Sequence, residues 1–84
     1  MIKDSILEDS EPVSNALFAE VVLPLPLQNN FTYRIPEEFF ELAVVGKRVF
    51  VPFGSRKVYT GIIVSINDKP PKKYEALNII SIID

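Results

Sequence analysis

The sequence predicts a mainly β protein, a small antiparallel β-barrel or rolled sheet of about five short strands with one short helical turn. Short apolar runs with period-two alternation recur along the chain, each bounded by proline, glycine or asparagine turn residues. Seven prolines against three glycines describe a chain that turns sharply and often. A chain of 84 residues has material for one small core only, and rolling the sheet shields its vulnerable edges.

Each element follows from local chemistry. Residues 1–15 are acidic, lack periodicity and contain Ser10-Glu11-Pro12, so they are expected to form a flexible leader to a domain over 16–84. Leu17, Ala19, Val21 and Leu23 share one face of a first strand. Pro24-Leu25-Pro26-Leu27 cannot continue an interior ladder, because proline has no amide donor, and is expected to run extended along an edge. After the Gln28-Asn29-Asn30 turn, Phe31, Tyr33 and Ile35 alternate with Thr32 and Arg34 in a second strand. Pro36-Glu37-Glu38 then opens a helical turn, ended by Gly46. Lys47 to Val51 forms a third strand, closed by a turn at Pro52-Phe53-Gly54-Ser55. Val58 to Ile66 is the longest strand candidate, and Gly61 within it marks a bulge or a close backbone approach. Asn67 to Lys73 is an exposed loop, and Leu77 to Ile83 supplies the last strand.

Composition excludes several chemistries. Without cysteine there is no disulfide framework or thiolate metal site, and without histidine the commonest general base is missing. No P-loop string occurs, and Ser55 and Ser65 have no histidine to activate them. Glu37, Glu38 and Glu41 are read as solvated acids favouring the first helical turn rather than as a catalytic or cation-binding set. No apolar run approaches the about 20 residues needed to span a bilayer, and no targeting segment is visible, so a cytoplasmic binding module is expected, with no membrane partner.

The net charge of −2 conceals segregation. Asp4, Glu8, Asp9, Glu11 and Glu20 crowd the start, whereas Lys47, Arg48, Arg56, Lys57, Lys69, Lys72 and Lys73 face only Asp68 between Gly46 and Lys73. A basic face suits a polyanion such as DNA, although such charges also protect exposed sheet edges. Two stretches offer binding chemistry. Phe31 and Tyr33 present aromatic rings that either stack a base or pack the core, leaving Thr32 on the opposite, exposed face as a hydroxyl able to read a base edge. Gly54 and Ser55 form a turn where backbone can approach a ligand, followed at once by the cations Arg56 and Lys57.

In order and spacing these pieces resemble the primosomal protein N-prime (PriA) family of replication-restart helicases. That family carries a V-x-(L/V)-x-(L/V)-P-L segment, then F-x-Y-x-(L/V/I)-P, then G-x-R-V-x-V-P-F-G and a G-(I/V)-V strand. The corresponding residues here are Ala19 to Leu27, Phe31 to Pro36, Gly46 to Gly54, and Tyr59 to Val64. The resemblance implies a DNA-binding domain that captures the 3′ end of the nascent leading strand at stalled forks or D-loops. It places the terminal-nucleotide pocket on Phe31 and Thr32, flanked by Tyr33, with Gly54 and Ser55 at the turn. Many family members have aspartate where this chain has Thr32, which keeps one oxygen but loses the charge. A family lysine near the last strand meets Leu77 here, so Lys72 or Lys73, with Arg56 and Lys57, are expected to reach the phosphates. The resemblance further implies a parent ATP-dependent 3′-to-5′ helicase whose remaining parts use ATP, magnesium and zinc. Other primosome proteins and single-stranded DNA-binding protein are its implied partners, and no cofactor is expected in this chain. The alternative from the residues alone is a small SH3-like β-barrel that docks a protein rather than DNA.

Overall fold

The computed structural model describes residues 16–26 and 28–84. The expected leader over residues 1–15, and Leu27 of the expected edge segment, lie outside the described residues. Among the described residues five strands form: β1 (Leu17–Val22), β2 (Phe31–Ile35), β3 (Arg48–Phe53), β4 (Lys57–Asn67) and β5 (Ser81–Ile82). They make one sheet in the order β2-β1-β4-β3-β5, with every neighbouring pair antiparallel.

Alternation along the strands builds the core. Ala19 and Val21 of β1, Tyr33 and Ile35 of β2, Val49 and Val51 of β3 and Ile63 of β4 all point inward and are buried. Leu23, Ala43 and Ile79 complete the cluster from the connecting segments. Each fully buried isoleucine or valine contributes about 1.5–3 kcal/mol of apolar burial. At Gly61 the β1 and β4 backbones come together: an added Cβ would collide with Val21 Cγ1 and lie 2.8 Å from the Val22 carbonyl oxygen. The close approach expected at this glycine is therefore present, while the register shift lies further along. Glu20 pairs with Ser65 but Val21 pairs with Ile63, leaving Val64 without an opposite residue. That extra residue resets the alternation, so Ile66 rejoins the core after the bulge.

Two strands, β3 and β5, depart most from expectation. β3 runs on through Pro52 and Phe53, and the turn is Gly54-Ser55-Arg56. The Arg48 and Phe50 carbonyls accept bonds from Ile83 and Ile80, so these residues direct their backbone groups away from β4. Pro52, two residues beyond Phe50, has the same orientation. Its missing N–H therefore costs no bond to β4.

The expected final strand over Leu77 to Ile83 is only the short β5, because the segment divides its hydrogen bonds between two partners. Arg34 N–H donates to Leu77 O at 2.8 Å and Ile79 N–H to Arg34 O at 2.9 Å, tying the segment to the β2 edge. Ile80 N–H then donates to Phe50 O at 2.8 Å and Ile83 N–H to Arg48 O at 2.8 Å, tying it to β3. The ladder is open, and this one segment bridges its two ends and rolls the sheet. The expected helical turn is a 3-10 turn at Glu37–Phe39 with Pro36 at its N-cap position. Gly46, which ends this connection, has φ of +98°.

Candidate nucleic-acid interface

Rolling the sheet brings the β2 edge beside the turn between β3 and β4. The result is a cleft of about 290 Å³ lined by Phe31, Thr32 and Tyr33 on one side and by Pro52, Phe53 and Gly54 on the other. Tyr74, Glu75 and Leu77 close its third wall. A second hollow of about 340 Å³ lies on the far side of Phe53 and Gly54, lined by Leu25, Ser55, Arg56, Lys57 and Tyr59. The two depressions share Phe53 and Gly54, so the turn forms a ridge between them.

The aromatic residues are held edge to face. Phe31 meets Phe53 with ring centroids 5.1 Å apart at 82°, and Phe53 meets Tyr59 at 5.8 Å and 70°. Phe31 is half-buried, leaving part of its ring in the cleft wall. Tyr33 is a core residue, only 4% exposed, and its hydroxyl donates to Pro52 O at 2.7 Å. Burial, and then repulsion from Tyr74, push its phenol up to about 12. Tyr33 therefore braces the cleft and is not a free stacking surface. Gly54 has φ of +68°, a left-handed conformation that glycine adopts without steric cost, and it is exposed at the rim.

Thr32 departs from the expectation of an exposed hydroxyl. It is 9% exposed, and its Oγ1 donates to Glu20 Oε2 at 3.0 Å across the β1–β2 pair. Its N–H, directed outward from the sheet edge, donates to Tyr74 Oη at 2.9 Å. The reason is tertiary. The segment from Pro70 to Asn78 passes over the outer face of β1 and β2, where it encloses Phe18 and Arg34 in a larger groove. This also buries Phe18, which alternation alone would send to solvent. Thr32 still lines the cleft beside Gly54.

The basic residues do not form one continuous face. Arg48 is neutralised by Asp84, with Nη2 to Oδ1 at 2.6 Å and the Arg48 N–H donating to Oδ2 at 2.9 Å. Lys47 Nζ donates to Asp84 O at 3.1 Å. Arg48 and its hydrogen bonds hold the Asp84 carboxyl down to about 2. Arg56 and Lys57 are exposed at the opposite end of β3, beside the Gly54 turn. Lys72 and Lys73 are exposed in the loop just before Tyr74, and neither lines either cleft. Local sequence signals missed Tyr74 and Glu75 as cleft residues. The one available hint was an aromatic residue directly after a lysine pair.

Among the described residues no group of carboxylates could hold a metal ion, and no helix is long and apolar enough to cross a membrane. A small rolled β-sheet with a cleft at one sheet edge, and two exposed cations just beyond the Gly54 turn that borders it, defines a binding module. The chain belongs to the 3′DNA-binding domain (3′BD) family, whose signature matches residues 20–84. It is 38% identical over 53 residues to the replication restart protein PriA of Buchnera aphidicola subsp. Acyrthosiphon pisum (strain APS), a match covering 63% of this chain and 7% of the relative. It is 35% identical over 63 residues to the protein of the same name from Buchnera aphidicola subsp. Schizaphis graminum (strain Sg), covering 75% of this chain and 8% of the relative. The chain thus spans less than a tenth of the length of these curated relatives.

Proposed function

We propose that this chain is a DNA-binding module for replication restart, and that it captures the 3′-terminal nucleotide of the nascent leading strand at a stalled fork or D-loop. Family membership supports the DNA-binding role. The observation that carries the finer reading is the shared cleft: Phe31 and Thr32 on the β2 edge face Gly54 across about 290 Å³ of space. A cleft closed on its third side suits the end of a strand better than its middle. A free 3′ hydroxyl fits where a following phosphate would collide. The exposed partial ring of Phe31 offers a base an apolar wall. Arg56 and Lys57 supply charge for the backbone. With only a few cations engaged, binding is weak, with a salt slope on the order of one per phosphate contacted.

The chemistry of fork processing belongs in this reading to a larger cytoplasmic protein, an ATP-dependent 3′-to-5′ helicase. Its ATP, magnesium and zinc sites, and its contacts with primosome proteins and single-stranded DNA-binding protein, are assigned to other parts of that protein. The chain itself acts by binding. A second reading, docking of a protein, draws on the exposed outer face formed by Phe50, Val58, Ile62 and Val64. Fluorescence anisotropy with fork DNA separates the two. A free 3′ end is expected to bind on the order of tenfold more tightly than a 3′-phosphorylated one. Equal binding of both forks removes the terminal pocket, and no binding of either favours the protein-docking reading.

A further inference from the structure

Beyond the terminal cleft, the outer face of β1 and β2 carries a larger groove of about 840 Å³, against about 290 Å³ for the cleft. Its floor is a cross-strand pair: Phe18 lies opposite Arg34 in the β1–β2 register, and the Arg34 guanidinium carbon sits 5.9 Å from the Phe18 ring centroid. The pair is fixed from below and from the side. Phe18 is 5% exposed, and both backbone groups of Arg34 are bonded to the Leu77–Ile79 segment. The Arg34 side chain is nevertheless exposed, and among the described residues it forms no ion pair. Pro70 and Pro71 form part of the groove wall, and Tyr74, 46% exposed, belongs to both the groove and the cleft. Lys72 and Lys73 precede Tyr74 on the same loop.

We propose that this groove is a second DNA subsite that holds the nucleotides preceding the 3′ end, with a base stacked on Arg34 and backbone phosphates near Lys72 and Lys73. This rests on the terminal-cleft reading, since Tyr74 joins the two spaces. The chemistry favours a polyanion with flat bases. A guanidinium stacks on a base with one face while an aromatic ring supports the other, and among the described residues no ion pair holds Arg34 away from such a ligand. Among the described residues Glu75 is the one acid in the groove wall, set against Arg34 there and the exposed Lys72 and Lys73 on the same loop. Contact of this kind is indifferent to sequence, because every base has a π-face. Lys72 and Lys73 line neither space, but they lie between Pro71 and Tyr74, both residues of the groove wall, and so flank a strand seated in the groove.

The test compares ligands of two lengths on the full chain: thymidine 5′-monophosphate and a thymidine tetranucleotide, each with a free 3′ hydroxyl. Arg34→Met keeps an unbranched cover over Phe18 and removes the planar cation. It is expected to weaken the tetranucleotide about tenfold, the range of one lost stacking contact, and to leave the mononucleotide unchanged. Lys72→Gln combined with Lys73→Gln, at exposed loop positions, is expected to lower the tetranucleotide salt slope by about one per lost phosphate contact. Unchanged tetranucleotide affinity in the Arg34 variant together with an unchanged slope in the lysine variant overturns the subsite, and is the result expected if the groove holds a protein. The wild-type comparison of 3′-hydroxyl with 3′-phosphate tetranucleotide tests the terminal cleft separately, because the 3′ group does not reach the groove.

Discussion

Glu20 and Thr32 stand directly opposite each other in the β1–β2 register, and the Thr32 hydroxyl donates to the Glu20 carboxylate at 3.0 Å. The bond draws the hydroxyl to the outer face of the sheet. The same residue turns its N–H toward Tyr74, on the cleft wall. Thr32 is thus held from two sides, and its contribution to the cleft includes an outward-facing amide.

Thr32→Val is expected to destabilise the domain by about 1 kcal/mol, because it leaves a half-buried carboxylate without its donor while preserving shape. Urea denaturation of the two proteins measures this. Nucleotide binding to the folded protein should change little, because the hydroxyl is already committed to Glu20. A variant as stable as the parent would show that the cross-strand bond contributes nothing.

Gly61→Ala should be among the most damaging small substitutions in the chain. The new methyl collides with Val21 Cγ1 and, less forgivingly, meets the Val22 carbonyl at 2.8 Å. Either β1 moves away from β4 or the core repacks, at a cost on the order of 1–3 kcal/mol. Thermal unfolding reads the loss directly.

Gly54 calls for a different outcome. An added Cβ there meets nothing within 4 Å, so the cost is conformational and arises from φ of +68°. Gly54→Ala is expected to lose about 1 kcal/mol, whereas Gly54→Asn, with a side chain that tolerates the left-handed region, should lose less. Both add bulk at a residue that lines the cleft. Oligonucleotide affinity should therefore fall in both, including the variant whose stability is nearly kept.

The pH dependence follows from Asp84. Its carboxyl is held below its ordinary value of 3.8, down to about 2, first by the hydrogen bond from the Arg48 side chain and then by the Arg48 backbone N–H. A group whose folded value is depressed stabilises the fold above its unfolded value and loses that contribution as pH falls. The loss should therefore occur between about pH 4 and pH 2. Because the pair is exposed, added salt should shrink the effect. Asp84→Asn, followed by denaturation across that window, should flatten this part of the profile.

How much of this was legible in the sequence depends on how local each cause is. Phe31–Ile35 alternates cleanly, and the strand has the expected bounds. Gly61 signalled a close approach because little else explains a glycine within a strand. Pro52 misplaced the end of β3, since a proline is tolerated in a strand only when its missing donor faces away from the ladder, and that orientation depends on partners. Burial of Thr32 and Phe18 had no local signal. It depends on a loop whose Tyr74 bonds a residue 42 positions earlier. The pairing of Arg48 was equally invisible locally, because its partner Asp84 lies 36 residues away.

The most direct measurement follows the backbone amides of Thr32, Phe53 and Gly54 by heteronuclear NMR. A tetranucleotide ending in a free 3′ hydroxyl is titrated first, then the same strand with a 3′ phosphate. Large shifts at these three amides with the first ligand, mostly absent with the second, are the predicted result. Shifts elsewhere, or the same shifts with both ligands, would contradict capture of a strand end between the β2 edge and the Gly54 turn.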